Sequence, residues 1–135
     1  MIFDTIEKEV IRRKSMYILI VDDDVQVLSA LKRKLEDMGH VVVEAIGPSH
    51  SLYILSVSVV FGPDLIITDY NMPGAMNGVE LAKEIRASGH RMPIWLLSAS
   101  NINEEMAKDA GIEKVFLKYR PDKFWSAIKN FGKEG

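Results

Sequence analysis

The chain has 135 residues, of which 47% are hydrophobic and 27% charged, and its formal net charge is −2. This size suits one globular domain with a real core and is too small for two full domains. No apolar run approaches the roughly 20 residues that span a bilayer, so no membrane insertion is expected. The longest basic run, residues 12–14, lies on no recognisable reading helix, which argues against direct nucleic-acid binding.

The chain contains no cysteine, which excludes disulfides and thiol chemistry. The first ten residues carry acids instead of the basic region of a signal peptide. Both features are compatible with a cytoplasmic protein.

Residues 1–15 are set apart as an N-terminal extension, and residues 16–135 are expected to form the domain. Ile2, Ile6 and Val10 are spaced by four with charged residues between them, which is typical of a short amphipathic helix. Isolated helices of this length are marginal in water. A frayed extension and an oligomerisation or docking helix both stay open.

Five short apolar runs predict buried strands, and helical patterns alternate with them. The strands are predicted at residues 17–21, 40–45, 65–69, 92–97 and 114–117. The helices are predicted at residues 25–38, 49–61, 77–88, 103–110 and 121–131. This alternation predicts an α/β fold, a doubly wound parallel sheet with helices on both faces.

The first helix shows a clear apolar face. Asp24 is placed to cap its N-terminus. Val25, Leu28, Leu31, Leu35 and Met38 share one face at helical spacing. His40, just after this helix, is expected to be a solvated turn residue, because no partner histidine lies at a metal-ligand spacing.

The second helix is the least secure element. Residues 51–60 contain many β-branched side chains and no charge, so propensity alone permits a strand. A helix is preferred because a right-handed crossover must join consecutive parallel strands. Cover by a partner, poor packing and a local expansion of the helix all stay open as reasons for its apolarity.

Polar side chains follow the carboxyl ends of four predicted strands. Asp22 and Asp23 follow the first strand, Asp69 ends the third, Ser98 follows the fourth and Lys118 follows the fifth. Ligands bind at this edge of an open parallel sheet. Clustered carboxylates need a cation to coexist, and hard oxygen ligands suit Mg²⁺.

Each of these residues also has an ordinary structural explanation when taken alone. Asp69 and Ser98 are suited to cap a turn or a helix, and the acidic run at residues 22–24 suits a solvated helix N-terminus. Lys118 at a strand end is usually solvated. These residues indicate a binding site only when the four strand ends are considered together.

In combination, these residues resemble the receiver domain of two-component response regulators, in its stand-alone, chemotaxis-regulator-like form. The matching elements are the acidic pair Asp22-Asp23, the D-x-x-M-P run at residues 69–73, the segment 77–81, the Ser98-Ala99 step and Lys118. They cover about residues 16–131. The resemblance implies a flavodoxin-like five-stranded parallel sheet with strand order 2-1-3-4-5.

The resemblance implies a phosphoacceptor signalling protein, not an enzyme. A histidine kinase or histidine phosphotransfer protein would donate a phosphoryl group to Asp69, and a downstream protein would read the product. Mg²⁺ would be held by Asp23, Asp69 and the backbone carbonyl of Asn71, with Asp22 acting mainly through water. Lys118 would pair with Asp69 and then with the phosphoryl group, and Ser98 would donate its hydroxyl to that group. Self-association as a homodimer stays open.

Three features depart from the family pattern. Tyr119 and Arg120 stand between Lys118 and the first following proline, Pro121, where the family usually has proline directly after the lysine. Val115 occupies the usual position of a switch aromatic, and strand alternation places Phe116 on the opposite face. The loop at residues 74–77 is one residue longer than usual. The two departures around Lys118, the missing proline and Val115, motivate a second hypothesis, a non-switching pseudo-receiver that serves as an interaction module.

A third hypothesis is a haloacid-dehalogenase-type phosphatase, with Asp22 as nucleophile and Asp24 as acid/base. That family expects a further acidic pair after the lysine, and only Asp122 is close. It also generally needs a cap or a longer core.

Overall fold

The computed structural model describes residues 15–58 and 62–131. The strands are β1 (Tyr17–Val21), β2 (Val41–Ala45), β3 (Leu65–Asp69), β4 (Ile94–Ser98) and β5 (Lys114–Leu117). The helices are α1 (Val25–Asp37), α2 (Pro48–Val57), α3 (Gly78–Ala87), α4 (Glu104–Asp109) and α5 (Pro121–Phe131). The predicted alternation is therefore confirmed in the described ranges. None of the helices there is long and apolar enough to cross a membrane.

The strands form one parallel sheet in the order β2-β1-β3-β4-β5, as the resemblance implies. Its register aligns the carboxyl ends. Val21 pairs with Thr68, Asp69 with Leu97, and Ser98 with Leu117. The polar residues that end the strands are thus brought to one edge.

Helices cover both faces of the sheet because successive strand residues point to opposite sides. One face carries Leu19, Ile66 and Leu96 and packs against α2, α3 and α4. The other face carries Ile18, Ile20, Ile67 and Trp95 and packs against α1 and α5. The three central strands, β1, β3 and β4, are buried on both faces, which explains their nearly continuous apolar sequences.

The second helix is confirmed as a helix, but its predicted range of 49–61 is wrong at both ends. It begins one residue earlier, because Pro48 fits the first turn, where its missing N–H is not needed. It ends at Val57. The Ser58 hydroxyl donates to the carbonyl of Ile54 at 2.8 Å, and the Ser58 N–H donates to the carbonyl of Leu55 at 3.3 Å. These bonds compete with a further helical turn.

The apolar face predicted for α1 is only partly buried. Leu28 and Leu35 are fully buried, whereas Val25 is 63% exposed and Met38 is 37% exposed. Val25 directly follows the cap residue Asp24, so it lies beside the acidic loop instead of over the sheet. The cap itself is confirmed, because Asp24 Oδ1 accepts from the N–H groups of Gln26 and Val27.

The prediction that His40 is a solvated turn residue is wrong. His40 precedes β2, is half-buried, and its Nδ1 accepts a hydrogen bond from the backbone N–H of Met16 at 3.1 Å. The Val41 N–H in turn donates to the carbonyl of Met16. Burial lowers the pKa of His40 from its ordinary value of 6.5. His40 therefore ties the start of β1 to the turn before β2.

Candidate functional site at the carboxyl edge of the sheet

Three carboxylates meet where β1 and β3 end. Asp22 and Asp23 follow β1, and Asp69 is the last residue of β3, its immediate neighbour in the sheet. One carboxylate oxygen from each lies within 4.8 Å of the others. Asp22 and Asp69 are each only 6% exposed, while Asp23 is open to solvent. We call this cluster of Asp22, Asp23 and Asp69 the acidic pocket.

Lys118 supplies a cation to the acidic pocket. Its Nζ lies 2.7 Å from Asp69 Oδ1. Its backbone N–H donates to the carbonyl of Ser98 at 2.8 Å, which fixes the end of β5 beside β4. The residue that follows, Tyr119 in place of the usual proline, does not keep Lys118 away from Asp69. No hydrogen bond from another described group reaches Asp69 Oδ1, so the ion pair is the main interaction of that buried oxygen.

The carboxylates of the acidic pocket carry more negative charge than the neighbouring Lys118 ammonium can neutralise. The pKa of Asp22 is raised from 3.8 to about 6, mainly by burial and to a smaller extent by the neighbouring Asp69 carboxylate. The N–H of Asp24, which donates to Asp22 Oδ1 at 3.0 Å, and the Lys118 ammonium act in the opposite direction. Three carboxylates face one ammonium, so a second cation is favoured here.

The donor set suits a hard divalent cation. All three side chains offer carboxylate oxygens, the ligand type that Mg²⁺ prefers. The exposed side of Asp23 leaves room for the waters that Mg²⁺ usually keeps. Asn71 is exposed and lies two residues after Asp69, in the loop that follows β3.

Ser98 ends β4 next to Asp69's strand and is 1% exposed. Its hydroxyl donates to the carbonyl of Ser100 at 2.6 Å and accepts from the N–H of Ser100 at 3.2 Å. Ser98 is not a helix cap, because Asn103 caps α4 through the N–H of Met106. The hydroxyl must exchange its bond to Ser100 before it can donate to a ligand in the pocket.

Two residues that hold Asp69 in place were not predicted as part of the site. Gly78, the first residue of α3, donates its N–H to the carbonyl of Tyr70 at 2.8 Å. A Cβ on Gly78 would collide with the backbone carbonyl oxygen of Asp69 and with the side chain of Leu96. The buried hydroxyl of Thr68 donates to the same Asp69 carbonyl at 3.0 Å. The sequence predicted that Asn77-Gly78 begins a helix, which is confirmed, but it did not predict this close approach to Asp69.

The aromatic residues of the β5 region do not replace the missing switch aromatic. Val115 is half-buried against the α2–α4 side of the sheet, whereas Phe116 packs on the other side, with its ring centroid 5.2 Å from that of Trp95. Tyr119 is 63% exposed. The predicted opposite orientation of Val115 and Phe116 is therefore confirmed.

The phosphatase hypothesis does not fit the geometry of the acidic loop. Its acid/base, Asp24, uses a side-chain oxygen to cap α1 at 2.9 Å from the N–H of Gln26. Its nucleophile, Asp22, carries the raised pKa, and its Oδ1 accepts from Asp24. Asp69 is the carboxylate that pairs with the lysine.

Comparison with known proteins supports the same reading. The family model described as the response regulator receiver domain matches residues 18–129. Chemotaxis protein CheY-3 of Vibrio cholerae is 34% identical over 114 residues, which is 82% of this chain and 85% of that protein. A putative two-component response regulator of Arabidopsis thaliana, ARR21, is 34% identical over 94 residues, but the chain spans only 15% of its length.

A solved structure of a response regulator with bound ligands shares the fold. The response regulator TrrA of Thermotoga maritima, in complex with Mg²⁺-BeF, matches with a TM-score of 0.70 and 27% identity, over 85% of this chain and 97% of that one. The match of the family model to most of the chain, and the sheet order found here, agree with each other. This chain belongs to the response regulator receiver domain family of two-component systems.

Proposed function

We propose that the protein is a cytoplasmic phosphoacceptor that receives a phosphoryl group on Asp69 from the phosphohistidine of a histidine kinase or a histidine phosphotransfer protein. The observation that carries this proposal is the buried Asp69 carboxylate, paired with Lys118 at 2.7 Å and flanked by Asp22 and Asp23. Such a carboxylate is held in one position and surrounded by the charges that phosphoryl transfer needs.

In the proposed reaction, a carboxylate oxygen of Asp69 attacks the phosphorus of the phosphohistidine. The P–O bond forms as the P–N bond breaks, and the imidazole, which carries a proton on its other ring nitrogen, leaves with the bonding electron pair as neutral histidine. Negative charge is spread over the equatorial phosphoryl oxygens in the transition state. The Lys118 ammonium, already 2.7 Å from Asp69, is placed to stabilise that charge.

Asp22, Asp23, Asp69 and the backbone carbonyl of Asn71 are the groups proposed to hold Mg²⁺. When bound, Mg²⁺ neutralises the crowded carboxylates and the charge of the incoming phosphoryl oxygens. Asp23 is the most exposed of the three carboxylates, and burial raises the pKa of Asp22 to about 6. We therefore assign Asp23 and Asp69 as direct ligands and Asp22 as a ligand through water.

Ser98 is proposed to couple phosphorylation to the surface. Its hydroxyl would leave the Ser100 carbonyl and donate to a phosphoryl oxygen, which moves the loop between β4 and α4. Val115 is smaller than an aromatic switch residue and packs on the same side of the sheet as α4. The output is therefore expected to be a change in this loop, read by a downstream partner protein, without an aromatic rotation in β5.

Beryllofluoride, which mimics a phosphoryl group on a carboxylate, tests the proposed site. Together with Mg²⁺ it should raise the melting temperature of the wild-type protein and have no effect on Asp69→Asn, because binding only to the folded state stabilises it. Asp37→Asn, at an exposed acid of α1, is the matched control and should respond like the wild type.

An equal stabilisation of Asp69→Asn would contradict the assignment of the acceptor. The pseudo-receiver hypothesis makes a different prediction. It expects Mg²⁺ and beryllofluoride to leave the wild-type melting temperature unchanged.

A further inference from the structure

The short helix α4 is attached to the rest of the protein mainly at its C-terminal end. Residues 103–106, which cap and begin it, are all exposed. Ala107, Ala110 and Ile112, in its second half and in the turn that follows, are buried in the core beside α2 and α3. Segments with few buried contacts have low local stability. The first turn of α4 is therefore its less stable end.

Arg86, near the end of α3, holds the C-terminal end of α4. Its Nε and Nη2 donate to the backbone carbonyl of Gly111 at 3.2 and 2.7 Å. Its Nη1 donates to the backbone carbonyl of His90, in the turn before β4, at 2.9 Å. The planar guanidinium presents its donors in a fixed geometry, so it holds these carbonyls in defined positions. We call these three hydrogen bonds the Arg86 clamp.

The turn that ends α4 fits the Arg86 clamp closely. Gly111 has a φ of 87°, which favours glycine, and a Cβ on it would lie 2.5 Å from Arg86 Nε. The N–H of Gly111 donates to the carbonyl of Lys108 at 2.9 Å. The N–H of Ile112 donates to the carbonyl of Ala107, also at 2.9 Å. These bonds close the turn, and the clamp joins it to α3.

The two ends of α4 lie towards opposite edges of the sheet. α4 begins after the carboxyl end of β4, where Ser98 lies, and it ends before the amino end of β5. The Ser98 hydroxyl is bonded to the backbone of Ser100, in the loop that leads into α4. A change in the hydrogen bonds of Ser98 therefore acts on the exposed end of α4, while the Arg86 clamp holds the other end.

We propose that α4 pivots about the Arg86 clamp when Ser98 exchanges its hydrogen-bond partner, so that the first turn of α4 is displaced and its last residues stay in place. The trigger of this pivot rests on the proposed function at Asp69, whereas the clamp does not. At 1.5 Å per residue, Glu105 lies about 9 Å and Asp109 about 3 Å along the chain from Gly111. A rotation about Gly111 therefore displaces Glu105 about three times further than Asp109.

Pairs of spin labels measure the two displacements. The chain has no cysteine, so Arg33→Cys on α1 can be combined with Glu105→Cys or with Asp109→Cys, all at exposed positions. Mg²⁺ and beryllofluoride should change the label distance to residue 105 by about 3 Å and that to residue 109 by about 1 Å. In Arg86→Met the two changes should be similar, because neither end is then held. Lys83→Met, which removes an exposed cation of the same helix, is the matched control and should keep the wild-type difference.

Amide hydrogen exchange tests the Arg86 clamp without any ligand. The N–H groups of Ala110, Gly111 and Ile112 should exchange at least about tenfold faster in Arg86→Met than in the wild type, because loss of the clamp makes local opening easier. Lys83→Met should exchange like the wild type. Circular dichroism and melting curves verify that each variant is folded. Unchanged exchange in Arg86→Met would overturn the clamp.

The outcomes separate this inference from the proposed function. A wild-type melting temperature that does not respond to Mg²⁺ and beryllofluoride contradicts the proposed function and, with it, the trigger of the pivot. A response in melting temperature with equal displacement of the two labels on α4 contradicts the pivot alone. The two labels are compared with the clamp intact, so this result does not depend on the folding of Arg86→Met.

Discussion

The acidic pocket contains residues whose presence the stability of the fold does not explain. Asp22 is 6% exposed, and its pKa is raised to about 6, mainly by burial. A buried carboxylate with a raised pKa is costly when ionised, so at neutral pH Asp22 destabilises the folded protein in the absence of a divalent cation. Sites that bind ligands often carry a cost of this kind.

Asp22→Asn is therefore expected to raise the melting temperature at neutral pH without divalent cations. Asparagine keeps an oxygen that can accept from the N–H of Asp24 and removes the buried charge. A shift of this size in pKa corresponds to a stabilisation on the order of 1–3 kcal/mol. Calorimetry of both proteins in a chelating buffer measures it. A lower melting temperature for the variant would show that the carboxylate stabilises the fold.

Gly78 is a second residue whose identity depends on the site. Gly78→Ala is expected to lower both stability and phosphorylation, because the added Cβ collides with the carbonyl oxygen of Asp69 and displaces the acceptor. Chemical denaturation and the rate of phosphorylation by acetyl phosphate are the measurements. Gly39→Ala is a useful comparison. No atom lies within 4 Å of its added Cβ, but φ is 95°, so it should lose stability and keep its phosphorylation rate. Normal phosphorylation of Gly78→Ala would contradict the positioning role.

Among the elements, the strands were predictable and some of their connections were not. Each strand is a short, mostly apolar run, and four of the five end at or directly before a polar residue. Burial of the three central strands on both faces makes their apolar runs nearly continuous. The end of α2 depends instead on hydrogen bonds made by Ser58, which propensity does not reveal. The bond between His40 and Met16 joins residues 24 positions apart, so local sequence patterns contain no signal for it.

The His40 contact predicts a pH dependence of the link between β1 and β2. Burial lowers the pKa of His40, so the folded protein favours the neutral ring. The stability from this residue is present above the unfolded pKa of about 6.5 and is lost as the pH falls towards the lower folded pKa. Protonation of Nδ1 also removes the acceptor for the Met16 N–H.

Melting curves from about pH 7.5 to about pH 5.5 measure this effect. The wild type should lose more stability over that range than His40→Gln, whose side chain does not titrate. Parallel losses in the two proteins would show that His40 does not contribute.

For the whole molecule, the fold and the order of the site residues were predictable from the sequence. The burial of each acid in the loop after β1 was not. Parallel strands that end in Asp69, Ser98 and Lys118 must bring these residues to one edge, and the structure does so. The cap at Asp24 was predicted and is confirmed. The burial of Asp22 was not predicted, because three consecutive acids look alike in sequence.

Residues 1–14 of the predicted extension and residues 132–135 of the predicted domain lie outside the described ranges. The proposed amphipathic helix with Ile2, Ile6 and Val10 therefore stays a prediction.

The most direct test of the central claim is the intact mass of the protein after incubation with acetyl phosphate and Mg²⁺. We expect the mass to rise by one phosphoryl group in the wild type, and the rise to be lost in Asp69→Asn and on removal of Mg²⁺. The adduct should be labile to hydroxylamine, as an acyl phosphate is. An adduct that persists in Asp69→Asn, or none in the wild type together with no detectable Mg²⁺ binding, would contradict the assignment of Asp69 as the phosphoacceptor.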